Sequence, residues 1–325
     1  MKIRYPDLLT VYTASENITF AEKDNPHHDG VSPVELYWND VHVALSQGDT
    51  LHISLTAQES EVTYLRLRFN FTEEEKRADI RILGDDYERG YGKFRWEGII
   101  PERVMPWYML VSNGNDRYPD TTGRHTDAYG VMVRPAAICT WQYDGAGVTL
   151  WCDVRNGGAG VQLGGRTLSV CDVVMEEYEN VTAYEAGQLF CGRMCPDPLV
   201  PDHKVYGSNN WYYAYGKSSH AEILGDTEFV ADLCKGNANI PYMVIDDGWQ
   251  KNRCDGPWDR GNERFPDMAG LAAQMAERGV RPGIWVRYLA DLAREVPGVT
   301  DDMRLTRNPD VLDPSHPKTI AYVRE

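Results

Sequence analysis

The amino-acid sequence predicts a multidomain chain: an antiparallel β-sandwich, then parallel βαβ units of the kind that open an α/β barrel or a doubly wound sheet. Two observations carry this. Apolar residues recur with period two before residue 200, and strands alternate with helices after it. Between them lies Cys195-Pro196-Asp197-Pro198-Leu199-Val200-Pro201, whose prolines can continue neither strand nor helix, so it reads as a linker between domains at 1–198 and 199–325. A length of 325 residues suits about two domains of roughly 150 residues each.

In the front half Leu51, Ile53 and Leu55 alternate with His52, Ser54 and Thr56, and Leu65, Leu67 and Phe69 alternate with Arg66, Arg68 and Asn70. This is the pattern of strands with one wet face. Similar runs span Val34 to Trp38, Trp107 to Val111, Tyr129 to Val133, Val148 to Val154 and Leu168 to Met175, with turn clusters such as Asn113-Gly114-Asn115-Asp116 between them. Many short strands without helices predict a sandwich. The charge run from Glu73 to Asp79 reads as a solvated turn.

In the rear half Val205 to Tyr215 is an aromatic strand candidate. Ser219 and Glu222 then offer a capping box for a helix ending near Cys234, with Gly236 as its stop. Ile240 to Ile245 is a short buried strand. Met268, Leu271, Ala272 and Met275 fall on one helical face before Gly279, and Pro282 to Val286 is a third strand. Ser315-His316-Pro317 opens a last helix that carries Ile320 and Val323. No glycine-rich phosphate loop opens either helix, which disfavours the nucleotide-binding version of the fold. A whole barrel takes about 250 residues, so on the barrel reading roughly half of one is present.

Composition narrows the partners. Lys plus Arg number 33 against 49 Asp plus Glu, a net charge of −16, which works against binding a polyanion. Aromatic residues make up 11% and favour carbohydrate, whose rings stack on aromatic faces and whose hydroxyls are gripped by carboxylates. Seven cysteines, at 139, 152, 171, 191, 195, 234 and 254, show no CxxC pair and read as buried thiols. Spacing leaves open whether Cys191 and Cys195 pair; free thiols are the default in a reducing compartment. The amino terminus lacks a signal-like apolar stretch and no run of about 18 apolar residues occurs, so the expectation is a cytoplasmic protein without a membrane partner.

The strongest local signal is Tyr242-Met243-Val244-Ile245-Asp246-Asp247-Gly248-Trp249-Gln250, an apolar strand that ends in two carboxylates. Parallel barrels carry active sites at such strand ends, and two like charges there need compensation. Consecutive side chains on a strand diverge, whereas a retaining glycosidase needs carboxyls about 5 Å apart across the bond cut. Asp246 and Asp247 therefore suit the binding of neighbouring sugar hydroxyls better than catalysis. A divalent cation is the competing use, although no further ligand lies at motif spacing. His27-His28-Asp29 offers a metal seed, but in a polar stretch ending at Gly30 it reads as a turn. No serine has the nucleophile-elbow context.

The segments Asn209 to Gly216, Ile245 to Gln250, Trp258 to Pro266 and Pro282-Gly283-Ile284-Trp285 resemble, in order, the first strands of the α-galactosidase (melibiase) family, glycoside hydrolase family 36 and its clan relatives. The resemblance covers about residues 205–325 at motif level, and the front half matches that family's sandwich in arrangement only. It implies a (β/α)8 TIM-type barrel, cut after about three βα units, and retaining hydrolysis of terminal α-galactosides without a cofactor or metal. It further implies that Asp246 and Asp247 bind the C4 and C6 hydroxyls of galactose, and that Trp211 and Trp285, with Trp249 nearby, line the sugar pocket. The alternative use of each tryptophan is barrel core. The family's nucleophile and acid/base aspartates follow the fourth and sixth strands, so no catalytic residue is expected in this chain, which should be inactive alone. Relatives carry Pro and Glu after the third strand where this chain has Arg287-Tyr288-Leu289.

The implied partner is an α-galactoside oligosaccharide or glycoside. A noncatalytic sugar-binding remnant and a galactosyltransferase of raffinose-synthase type are the alternatives. Half a barrel exposes a strand edge and apolar faces, which invites association of copies as a homo-oligomer.

Overall fold

The computed structural model describes residues 3–21, 33–113, 125–252, 255–306 and 308–324. His27-His28-Asp29, Gly114-Asn115-Asp116 and Cys254 lie outside the described residues. The chain forms two compact units, Met1–Pro198 and Leu199–Glu325.

The first unit is built from two antiparallel sheets. One runs, strand by neighbouring strand, Asn17–Ala21, Leu8–Thr13, Glu61–Asn70, Gly147–Asp153, Ile138–Tyr143 and Met105–Pro106, with Val161–Gln162 also paired to Glu61–Asn70. The other runs Val34–Trp38, Val41–Gln47, Leu51–Ala57, Thr167–Glu179, His125–Val131, Tyr108–Ser112 and Arg81–Gly84. Leu51, Ile53, Leu55 and Ala57 are buried while the residues between them are half-buried, the period-two pattern read from the sequence. Their side chains join Leu65, Leu67, Phe69, Trp141 and Leu150 of the other sheet in one apolar core. A shared core between two sheets is what defines a sandwich. The run from Glu73 to Asp79 is a largely exposed turn.

The expectation of a front half without helices needs correction. Ala183–Met194 is a helix, capped by Thr182, whose hydroxyl accepts from the Glu185 N–H while the Glu185 carboxylate accepts from the Thr182 N–H. It lays Phe190 and Met194 on Leu110, Ala128 and Val174, on the other side of the second sheet from the sandwich core. Covered on both faces, the His125–Val131 strand is buried at all seven positions. Gly187 and Gly192 dilute the helical pattern in the sequence, but the Thr182 to Glu185 capping box was legible there.

The cysteines also depart from expectation. Cys139, Cys152 and Cys171 are buried, but Cys195 and Cys234 are half-buried and Cys191 is exposed; all six are free thiols, Cys191 and Cys195 included.

The second unit holds a parallel sheet in the order Gly207–Asn209, Tyr242–Ile245, Arg281–Ile284. Helices His220–Leu233 and Met268–Glu277 connect its strands, capped by Ser219 and Asp267, which accept the N–H groups of Glu222 and Gly270. Gly236 and Gly279 follow these helices with positive φ. Ile223 and Val230 of one helix and Leu271 and Met275 of the other pack on Met243 and Ile245. The expected strand Val205 to Tyr215 is shorter. It stops at Asn209, and Trp211–Ala214 is a short helix. The Asn209 side-chain oxygen accepts the Trp211 N–H at 2.7 Å, a local bond that turns the backbone out of the sheet and overrides the strand propensity of the aromatic run. Arg304–Leu305 pairs with Asn308–Leu312, and helix Pro317–Arg324 follows. No helix among the described residues is long and apolar enough to cross a membrane.

Candidate functional site

The carboxyl ends of the three parallel strands bring Asn209, Asp246 and Trp285 to one edge of the sheet, since each lies at or next to the end of its strand in the aligned register. Open parallel sheets bind ligands at that edge. Asp246 directly follows the central strand, and its two oxygens are already engaged. Asn209 Nδ2 donates to Oδ2 at 2.6 Å, and the Asp247 N–H donates to Oδ1 at 2.7 Å. Each carboxylate oxygen has a second lone pair, and Asp246 is only half-buried, so it retains capacity for a hydroxyl. No arginine or lysine among the described residues forms an ion pair with it.

Asp247 differs from its neighbour. It is 2% exposed, and its Oδ1 accepts from Gln250 Nε2 at 2.7 Å. Gln250 Oε1 in turn accepts the Gly248 N–H. The twin acids are thus one open and one enclosed group, an asymmetry that their adjacency in sequence does not reveal.

The loop that carries them is fixed from outside. Asn210, itself buried, accepts the Asp246 N–H through Oδ1 at 2.8 Å and donates through Nδ2 to Ser218. Arg264 Nη2 donates to the carbonyls of Gly216 and Gly248, both at 2.8 Å, and Asn262 Nδ2 donates to those of Gly248 and Gln250. Gly248 has φ +100°, and a Cβ there would stand 2.4 Å from the Gly216 carbonyl oxygen, so only glycine fits. Asn209, Asn210, Gln250 and Arg264 received no role in the sequence reading. Asn209, Asn210 and Arg264 left little signal, because they reach partners 37, 36 and 48 residues away, whereas Gln250 bonds Gly248 and Asp247 within three residues and was open to a local reading.

The tryptophans separate in the same way. Trp249 is 2% exposed, packs against Trp258 and donates its indole N–H to the Trp285 carbonyl at 2.8 Å. It belongs to the core and braces the end of the third strand, which corrects its placing as a pocket wall. Trp285 is half-buried and meets Trp258 edge to face. Trp211, also half-buried, sits on the short helix and meets Tyr215 edge to face. That helix is tied down by Tyr213, whose hydroxyl bonds Asp226; burial, and then this carboxylate, push the phenol up. Past the third strand Arg287 and Tyr288 line an apolar groove of about 600 Å³ with Ile320 and Val323 of the last helix. Asp291 and Arg304 form a buried ion pair at 2.6 Å.

This arrangement can hold a neutral polyol: one open and one enclosed carboxylate after the central strand, with half-buried indoles on the short helix that follows the first strand and at the end of the third.

No family model matches the chain. No curated protein matches it either. Solved structures do. A variant of the GH36 alpha-galactosidase AgaA from Geobacillus stearothermophilus, in complex with raffinose, superposes with a TM-score of 0.54 at 16% identity, over 99% of this chain and 52% of that one. AgaB of the same organism gives 0.50 at 16% identity, over 98% and 50%. The alpha-galactosidase TtGalA from Thermus thermophilus, in complex with p-nitrophenyl alpha-D-galactopyranoside, gives 0.51 at 15% identity, over 90% and 59%. At such identities the likeness is one of fold, and the chain spans about half the length of these structures. The fold of this chain is similar to that of about half of these GH36 alpha-galactosidases.

Proposed function

We propose that the chain is part of a glycoside hydrolase that releases terminal α-galactosyl units with retention. The observation that carries this reading is the position of Asp246 and Asp247 directly after the central strand of a parallel sheet. Two carboxylates there give strong acceptors for adjacent hydroxyls of one sugar. In this reading the pair takes the C4 and C6 hydroxyls of galactose, and Trp211 and Trp285 offer ring faces to the hexose. The parallel strands belong to a (β/α)8 barrel of the whole protein. The nucleophile and the acid/base are two further carboxylates, which act by double displacement without a cofactor. The 325 residues alone bind sugar without cleaving it, and the whole enzyme works on α-galactosides in the cytoplasm. The superposition on proteins that hold raffinose and p-nitrophenyl alpha-D-galactopyranoside supports this substrate class.

Titration of the chain with galactose and with glucose, followed by tryptophan fluorescence, tests the reading. Galactose should bind in preference, because the axial C4 hydroxyl is the feature gripped. Asp246→Asn and Asp247→Asn should each weaken binding about 10- to 100-fold, the effect of losing a charged hydrogen bond worth roughly 1.5–3 kcal/mol. Unchanged affinity in both variants would refute the site. Normal turnover of an aryl α-galactoside by the 325 residues would refute the placing of the catalytic pair.

A further inference from the structure

Three thiols meet inside the sandwich of the first unit, far in function from any sugar site. Cys139 and Cys152 face each other on adjacent strands of one sheet, and Cys171 comes from the other. Their sulfurs all lie within 4.8 Å of one another, and those of Cys152 and Cys171 are 3.8 Å apart. All three residues are buried.

The position of Cys171 depends on a break in its strand. Opposite Leu51–Ala57, the register of Thr167–Glu179 shifts between Ser169 and Cys171, the mark of a β-bulge. Before the shift Leu168 and Val170 face the sandwich core; after it Cys171, Val173 and Met175 do. Without the extra residue, alternation would turn Cys171 outward. Bulges re-aim side chains in this way. The strand departs from regular pairing at the one point that brings a third sulfur to the other two.

We propose that Cys139, Cys152 and Cys171 form a trigonal thiolate site for a soft monovalent cation, Cu(I). A metal with bonds of about 2.3 Å to three sulfurs in a plane sets them about 4.0 Å apart, so the thiols need move by only tenths of an ångström to close on one ion. Thiolates select soft ions. Structural zinc takes four ligands, and among the described residues no fourth histidine, cysteine or carboxylate joins the group. Burial denies water the fourth place. Three-coordination suits Cu(I) and not zinc. Each thiol that ligates gives its proton to solvent, and because the core is closed the ion enters as the sheets come together, which couples loading to folding. The bound ion would clip the two sheets through sulfurs from both.

The test refolds the reduced chain under argon with Cu(I), in a background where Cys191, Cys195, Cys234 and Cys254 are serine. Metal retained after desalting should reach one ion per chain, X-ray absorption should show three sulfur neighbours, and the thermal midpoint should rise with Cu(I) concentration. Cys171→Ala removes the ligand without adding bulk to the core; retention should fall about tenfold or more while the metal-free fold, followed by circular dichroism, persists. Cys139→Ala provides the same comparison if that variant does not refold. Retention unaffected by either change, a shell of nitrogen or oxygen, fewer than three sulfurs, or no retained copper would each overturn the proposal.

Discussion

All seven residues of His125–Val131 are buried, whereas in Tyr242–Ile245 only Met243 and Ile245 are. Both strands are interior to their sheets, with a neighbour on each side. The first lies between the sandwich core and a helix, so each face meets apolar side chains. The second is packed by helices through Met243 and Ile245, while Tyr242 and Val244 remain half-buried. Stability and function are thereby divided. The front unit buries Trp141, Tyr129, Phe69 and Phe190 completely, while in the rear unit Tyr212 and Tyr213 stand exposed on the short helix that follows the first parallel strand.

The comparison can be broken most sharply in the front core. Trp141 is fully buried, and Trp141→Ala should cost about 3–5 kcal/mol in denaturant unfolding of the front unit. Trp285→Ala, at a half-buried ring, should cost far less in stability and act on sugar affinity instead. Equal destabilisation by the two would erase the division.

A second, smaller effect is expected in the rear unit. Gly248→Ala forces a side chain into a left-handed position against the Gly216 carbonyl, a strain of about 1–3 kcal/mol. Since the same turn carries both aspartates, galactose binding should fall with it while the front unit's unfolding midpoint stays put. Binding retained in a folded Gly248→Ala chain would show that the turn does not position the acids.

The smallest effect concerns the rim of the front unit. Asp40 Oδ2 accepts the N–H groups of Gln58, Glu59 and Ser60, at 3.0, 2.6 and 2.8 Å, and Oδ1 accepts the Ser60 hydroxyl. These bonds, that hydroxyl foremost, hold its carboxyl well below the ordinary 3.8. A depressed value means that the stabilisation is complete above the unfolded value, near 4, and is lost as pH falls through the folded one. Asp40→Asn should therefore cost about 1 kcal/mol at neutral pH, allowing for solvent screening, and progressively less in acid. A difference between the two proteins that does not shrink on acidification would remove the carboxylate from this account.

Much of the architecture was legible because burial on one face writes a period into the chain. The strands Leu51–Ala57 and Glu61–Asn70 and the helix Met268–Glu277 each carried theirs. Leu8–Thr13 and Ala183–Met194 escaped. The strand opens on an exposed Leu8 followed by three consecutive buried residues, and the helix is interrupted by glycine.

At the candidate site, the sequence by itself determined that two acids end an apolar strand between parallel neighbours. It also determined that linker prolines divide the chain and that the negative charge disfavours polyanions. Only the tertiary structure decided that Asp246 is open and Asp247 enclosed, that Trp249 is core while Trp285 is half-buried, and that a bulge turns Cys171 toward two other thiols. The reason is physical. Periodicity records which face of an element is covered, but exposure at a strand end and the meeting of side chains from different sheets depend on elements distant in sequence, and no local pattern encodes them.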